Sequence, residues 1–81
     1  MKNNELNKLK KFAQKVLNLK LGFAPSMKDI VLLESGDNGD VITYVMFSIA
    51  GNHKCEYQAY FNVKEYQYDL CINTSSNLMW L

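Results

Sequence analysis

The fold is decided by the stretch YQAYFNVKEYQYDLCI, residues Tyr57–Ile72, in which apolar and polar side chains alternate on both sides of Lys64-Glu65. Alternation with a period of two is typical of β-strands that bury one face only. A two-residue turn at Lys64-Glu65 gives the hairpin one apolar face, with the pairs Val63/Tyr66, Phe61/Tyr68, Ala59/Leu70 and Tyr57/Ile72. The opposite face is mostly polar and carries the pairs Asn62/Gln67, Tyr60/Asp69, Gln58/Cys71 and Glu56/Asn73. The stretch therefore predicts an antiparallel hairpin with a buried face and an outer face.

Two more strands precede this hairpin. Asn38-Gly39 is a strong signal for a tight hairpin turn and is flanked by β-branched and apolar residues. Gly51-Asn52-His53 marks the next turn. The sequence therefore predicts four strands in a meander, at about 28–35, 41–50, 54–63 and 66–73, followed by a C-terminal tail over residues 74–81.

The N-terminal segment has the period of a helix instead. Its apolar residues recur at three- and four-residue steps, and Gly22 with Pro25 marks its end. A chain of 81 residues has room for one domain. The expected fold is therefore α+β in two layers, with one amphipathic helix at about 4–20 packed on a four-stranded antiparallel meander, and the domain spans residues 1–81.

The strand register predicts a second apolar surface on the side of the sheet away from the helix. A turn at Asn38-Gly39 pairs Leu32 with Val45 and Ile30 with Phe47. A three-residue turn at residues 51–53 then gives the pairs Val45/Ala59, Phe47/Tyr57 and Ile49/Cys55. A two-residue turn there flips the second strand, and this alternative stays open. In the first register an apolar patch lies on the outer face, made of Val31, Leu33, Ile42, Tyr44, Met46 and Tyr60.

A patch of this kind on a small protein needs a cover or a partner. Leu78–Leu81 folding back over it, a second copy forming a homodimer through it, and a foreign protein are the three occupants that the sequence leaves open. Tyr and Met supply large, adaptable contact area at interfaces. The patch residues are therefore the candidate partner-binding site.

The net charge of +1 is the sum of a positive N-terminal segment and a negative remainder of the chain. Residues 1–20 carry six lysines against one glutamate, whereas residues 21–81 carry three lysines against seven acids. Lys8, Lys11 and Lys15 form a row on the polar side of the helix and are the candidate nucleic-acid contacts. The same row is also explained as the solvent-exposed face of an ordinary surface helix. Because the chain has no arginine, it lacks the side chain that recognises guanine through two parallel hydrogen bonds.

No catalytic or metal-binding constellation stands out, so neither an enzyme nor a cofactor is expected. The single His53 and the two cysteines, predicted on opposite faces, do not supply converging zinc ligands or an oriented Cys–His pair. Two unpaired thiols, Cys55 and Cys71, indicate a reducing compartment, and we expect the cytoplasm. The longest apolar run is far shorter than the roughly 18 residues of a membrane span, so no membrane partner is expected.

One helix followed by an antiparallel meander resembles, in element order, cystatin-like domains and some small immunity and inhibitor proteins. The Gln-x-Val-x-Gly loop of cystatins is missing, since the corresponding turn reads Ser48-Ile49-Ala50-Gly51-Asn52. The resemblance therefore transfers no residue role. We expect a non-catalytic inhibitor or immunity-type module of phage or mobile-element character, which occludes a partner protein with a basic surface. A weak nucleic-acid binder using the lysine row is the alternative.

Overall fold

The helix forms where the apolar stripe predicts it. In the structure, a computed structural model that describes residues 3–75 and 77–81, helix α1 spans Asn3–Leu21. Its side chains at three- and four-residue steps are buried against the sheet, namely Leu9, Ala13, Val16 and Leu17. Gly22 ends the helix with a φ of 79°, and its N–H donates to the Asn18 carbonyl at 3.0 Å. None of the described helices is long and apolar enough to cross a membrane.

The sheet is an antiparallel meander of five strands in chain order. They are β1 (Ile30–Asn38), β2 (Val41–Ile49), β3 (Asn52–Asn62), β4 (Gln67–Thr74) and β5 (Leu78–Trp80). The α+β two-layer prediction is confirmed, because α1 packs on one face of this sheet. A short 3-10 turn, Met27–Asp29, delays the first strand to Ile30.

The predicted tail contains a fifth strand, so the four-strand count is wrong. Leu78, Met79 and Trp80 pair with Asn73, Ile72 and Cys71 of β4. Three apolar residues are too few to display a period of two, and for this reason the pattern does not reveal the strand. The tail therefore extends the sheet and does not fold back over the patch on the first two strands.

The register of β3 and β4 agrees with the prediction at every pair inside the strands, from Glu56↔Asn73 to Asn62↔Gln67. The turn itself is longer than expected, since Val63–Tyr66 form a four-residue turn. The Asn62 side-chain oxygen accepts from the N–H groups of Lys64 and Glu65 at 3.0 and 3.1 Å. Tyr66 was expected on the core side, but it is 81% exposed and has a φ of 53°.

The predicted pairing of β1 with β2 is wrong by two residues at its start. Leu32 lies opposite Phe47, not Val45, because β1 continues to Asn38 and the turn is Gly39-Asp40. Two register shifts then follow, and they leave Leu33 of β1 and Thr43 of β2 without a direct partner. Each shift has the form of a β-bulge, in which one extra residue changes the face of the sheet to which the following side chains point.

The pairing of β2 with β3 combines the two predicted alternatives. Val45↔Ala59 and Phe47↔Tyr57 agree with the prediction, whereas Ile49 pairs with Asn52 and not with Cys55. The connecting turn is two residues long, with Gly51 at a φ of 89°. A register shift beyond Phe47 absorbs the difference, so the middle of β2 keeps its predicted facing.

The core lies between α1 and one face of the sheet. Its largest fully buried side chains come from the helix and the central strands, namely Leu17, Val16, Phe47, Val45 and Leu70. Phe47 and Tyr57 stack across β2 and β3 with ring centroids 5.3 Å apart. Both cysteines are free thiols, and Cys55 packs against this core.

Candidate functional site

The outer face, which is the side of the sheet away from α1, is built by two rows of cross-strand neighbours. One row runs through Gly36, Tyr44, Tyr60 and Asp69. The next runs through Glu34, Met46, Gln58, Cys71 and Trp80. Because side chains directly opposite each other in an antiparallel sheet are in contact distance, each row is a continuous surface.

Three rings form what we call the aromatic row, defined as Tyr44, Tyr60 and Trp80. The centroids of Tyr44 and Tyr60 are 6.2 Å apart, and those of Tyr60 and Trp80 are 5.5 Å apart. Both distances are within the range of aromatic pairs. The row crosses β2, β3 and β5 and bridges over β4, whose Cys71 lies buried between Gln58 and Trp80.

Local contacts fix two of these rings. The Tyr44 ring lies directly over Gly36, where a Cβ atom would overlap its edge carbons. The Tyr60 hydroxyl donates to the Gln58 side-chain oxygen. Rings held in this way lose little further conformational freedom when a partner binds.

The predicted patch is mostly assembled, with one residue on the wrong side. Tyr44, Met46 and Tyr60 lie half-buried on the outer face, and Val31 is exposed opposite Ser48. Leu33 is exposed at the β1 bulge, where it borders a groove shared with Leu6 and Leu9 of α1. These positions bring the tyrosines and Met46 together and leave Leu33 at the edge.

Ile42 is the residue that the prediction misplaced. It packs against the core on the helix side and not on the outer face. The register shift at Thr43 explains the change, because an extra residue in β2 moves Ile42 to the face opposite that of Tyr44. No feature of a single strand's alternation signals that shift.

Trp80 is the residue that sequence reasoning missed at this site. It is 59% exposed, and its ring completes the aromatic row against Tyr60. Leu78 lies beside it on the outer face and is 60% exposed. Their placement depends on β5 pairing with β4, and the tail sequence alone gives no register for that pair.

The charges of the outer face are mainly negative. Its strand positions carry Glu34, Glu56 and Asp69, and Lys54 borders an open cleft beside Glu56 at one end. Burial raises the pKa of the Tyr60 hydroxyl, and the nearby Cys71 and Tyr44 side chains raise it further. Burial also raises the pKa of the Cys71 thiol, against a smaller opposing effect of a hydrogen bond with the Met79 backbone. Both groups are therefore neutral at pH 7.

The lysine row of α1 is exposed but is not uniformly free. The Lys15 ammonium lies 4.8 Å from the centroid of the Tyr68 ring. Interaction with the Tyr68 side chain raises the pKa of Lys15, and Tyr66 adds to the effect. Lys8 lines an open cleft together with three acids, Glu5, Asp37 and Asp40. Lys11, the middle residue of the row, is exposed.

Within residues 3–75 and 77–81, no group of three or more His, Cys, Asp or Glu side chains is arranged to hold a metal ion. The free thiols Cys55 and Cys71 lie on opposite faces of the sheet, as the register predicts. The outer face thus offers contact area, aromatic rings and carboxylates as its chemistry. Comparison of the chain with family models, with curated proteins and with solved structures gives no match.

Proposed function

We propose that this protein is a small non-catalytic binding module whose outer face engages a basic surface of another protein and blocks that surface sterically. The observation that carries the proposal is the aromatic row, an ordered line of Tyr44, Tyr60 and Trp80 across the face. Tyr and Trp are the residue types that most often dominate binding energy at protein interfaces. An inhibitor or immunity-type role follows from this mode of action, because occlusion needs contact and no chemistry.

The distribution of charge supports a basic partner. Glu34, Glu56 and Asp69 surround the apolar centre of the outer face, and carboxylates at the edge of an interface favour approach of a positive surface. The five lysines of α1 belong to the helix layer on the other side of the sheet. Association should therefore slow as salt concentration rises, since exposed charges are screened over about 10 Å at 0.1 M salt.

The rigidity of the face supports tight contact by a small surface. Tyr44 rests on Gly36, and the Tyr60 hydroxyl is held by Gln58. Binding costs about 0.5–1.5 kcal/mol for each side chain that must be immobilised, so rings ordered beforehand reduce that cost.

The test begins with a photo-crosslinking amino acid placed at position 44, with the same amino acid at position 19 as the control. Leu19 is an exposed apolar residue of α1, outside the proposed face. A protein crosslinked from position 44 in the source cells, and not from position 19, is then purified. Its affinity is measured by calorimetric titration.

Three variants decide the outcome of that titration. Tyr44→Asp and Trp80→Ala should weaken binding by about 2 kcal/mol or more, the usual loss when a central aromatic residue is removed. The triple change of Lys8, Lys11 and Lys15 to Glu should leave the affinity unchanged within about threefold. Circular dichroism checks that each variant is folded. If Tyr44→Asp does not fold, Trp80→Ala still tests the aromatic row. The proposal is wrong if the triple variant loses binding while both aromatic variants retain it, or if position 44 yields no crosslink.

A further inference from the structure

The two edges of the sheet differ in how well they are protected from pairing with another strand. The β1 edge carries Glu34, Asp37 and the bulge at Leu33, which are common devices against edge-to-edge association. The β5 edge has none of these. Residues 70–81 contain no charged side chain and no proline, and Leu78, Met79 and Trp80 are 60%, 53% and 59% exposed.

The backbone of β5 also offers unused hydrogen-bonding groups. Thr74 N–H donates to the Asn77 carbonyl at 2.8 Å, and Leu81 N–H donates to the Leu70 carbonyl at 2.9 Å. Residues alternate along an antiparallel ladder, so 77, 79 and 81 direct their N–H and C=O groups to β4. The N–H and C=O groups of Leu78 and Trp80 therefore point away from β4, where the described residues supply no neighbouring strand.

We propose that a second copy of this chain pairs with β5 in an antiparallel ladder whose two-fold axis passes beside Met79. In this register Leu78 lies opposite Trp80 of the second copy, and Trp80 lies opposite its Leu78. All four outward backbone groups on each strand then find partners in the other copy. The result is one continuous ten-stranded sheet with α1 of both copies on the same side.

Side-chain chemistry favours a second copy as the occupant of this edge. On the outer face the Trp80 ring of each copy covers Leu78 of the other, so the two most exposed side chains of β5 are buried together. On the helix side the two Met79 side chains meet at the axis. No like charges are brought together there, because the segment is uncharged and the nearest acid, Asp69, lies at the start of the neighbouring strand.

This pairing does not rest on the proposed function, although Trp80 takes part in both, because the pairing uses the free edge of β5 and the proposed function uses the outer face around Tyr44. It also has a consequence for that face. The two aromatic rows become parts of one surface, because each row ends at the Trp80 that borders the dimer axis.

The experiment is sedimentation velocity of the whole chain from about 10 µM to about 1 mM, the range in which a short interface of moderate affinity associates. The wild-type mass should rise from 9.3 kDa toward twice that value. Met79→Lys and Met79→Glu place like charges opposite each other at the axis, and each change should raise the dissociation constant at least tenfold. Met79 is half-exposed in one chain, so both variants should fold, and circular dichroism checks this.

An equimolar mixture of the two Met79 variants gives the sharpest result. Opposite charges then face each other, and the dimer should reappear as a heterodimer. The matched control is Leu19→Lys, which adds a charge at another exposed apolar residue and should leave the dissociation constant unchanged. Trp80→Pro removes one outward N–H without touching the bonds to β4 and should also prevent pairing.

Three results overturn the proposal. The first is a wild-type chain that stays at 9.3 kDa up to the highest concentration. The second is a dimer that persists in Met79→Lys but is lost in Tyr44→Asp, which would locate the interface on the outer face. The third is a mixture of the Met79 variants that remains monomeric, which would exclude the register with Met79 at the axis.

Discussion

At the scale of single residues, the outer face depends on Gly36 as much as on the rings themselves. Gly36 has no side chain to hold Tyr44 away from β1, so the Tyr44 ring occupies the space that a Cβ atom at this position would take. The same ring lies next to Tyr60, which in turn contacts Trp80. The missing side chain at Gly36 therefore positions the first ring of the aromatic row.

Gly36→Ala should destabilise the fold, because the new Cβ overlaps the edge of the Tyr44 ring. We expect a loss of about 1–3 kcal/mol in the free energy of unfolding, as for other overpacked sites. Urea denaturation measures it. In a Tyr44→Ala background the same change should cost less than about 0.5 kcal/mol, since the overlapping ring is gone. An equal cost in both backgrounds would show that the ring is not the cause.

Cys71 should make the stability depend on alkaline pH. Burial raises the pKa of its thiol in the folded protein above the value of about 9 of an unfolded cysteine. Above that pH the unfolded chain releases a proton that the folded chain keeps, so the free energy of unfolding falls as pH rises. Tyr60 and Tyr57, whose pKa values are also raised, continue the fall above pH of about 10.

Urea titrations between about pH 7 and pH 9.5 check this dependence. Cys71→Ala should flatten the first part of the decline. A decline of the same size in Cys71→Ala would assign it to other groups.

At the scale of elements, alternation predicts facing well inside regular strands and fails where a residue is inserted. The β3–β4 register follows from the pattern around Lys64-Glu65, because each strand is regular over its length. Ile42 and Tyr44 share a parity in the sequence, yet the extra residue Thr43 separates them onto opposite faces. A bulge depends on contacts between two strands, so the sequence of one strand does not reveal it.

The facing of Ile42 has a direct consequence for stability. Ile42→Ala removes a side chain packed against the core and should cost about 1–2 kcal/mol in the free energy of unfolding, less than the usual cost at a fully buried site because Ile42 is only partly buried. Leu33→Ala, at an exposed bulge of the edge strand, should cost less than about 0.5 kcal/mol. Chemical denaturation of both variants provides the comparison. Equally small costs for the two variants would contradict the packing of Ile42 against the core.

The candidate site was predictable to the extent that it lies on regular strands. Tyr44, Met46 and Tyr60 share the outer face because the middle of β2 and β3 keeps its register. The position of Trp80 could not be predicted from the sequence, since a three-residue strand has no measurable period. The register of β5 is fixed only by its contacts with β4.

At the scale of the whole molecule, the chain separates its charges by layer. The helix carries five of the nine lysines, and the outer face of the sheet carries the aromatic row with three carboxylates. Lys15 lies over the Tyr68 ring, and Lys8 lines an open cleft with Glu5, Asp37 and Asp40, so acids and an aromatic ring lie close to part of the positive charge. We therefore propose the outer face, and not the helix, as the contact surface, and we expect its acids to favour a basic partner.

The most direct test of this account is amide and indole chemical-shift mapping of the unaltered chain, titrated with its purified protein partner. The account predicts that the largest changes fall on Tyr44, Met46, Tyr60 and the Trp80 indole, with little change along α1. Changes concentrated at Lys8, Lys11 and Lys15, with the aromatic row unmoved, would contradict it.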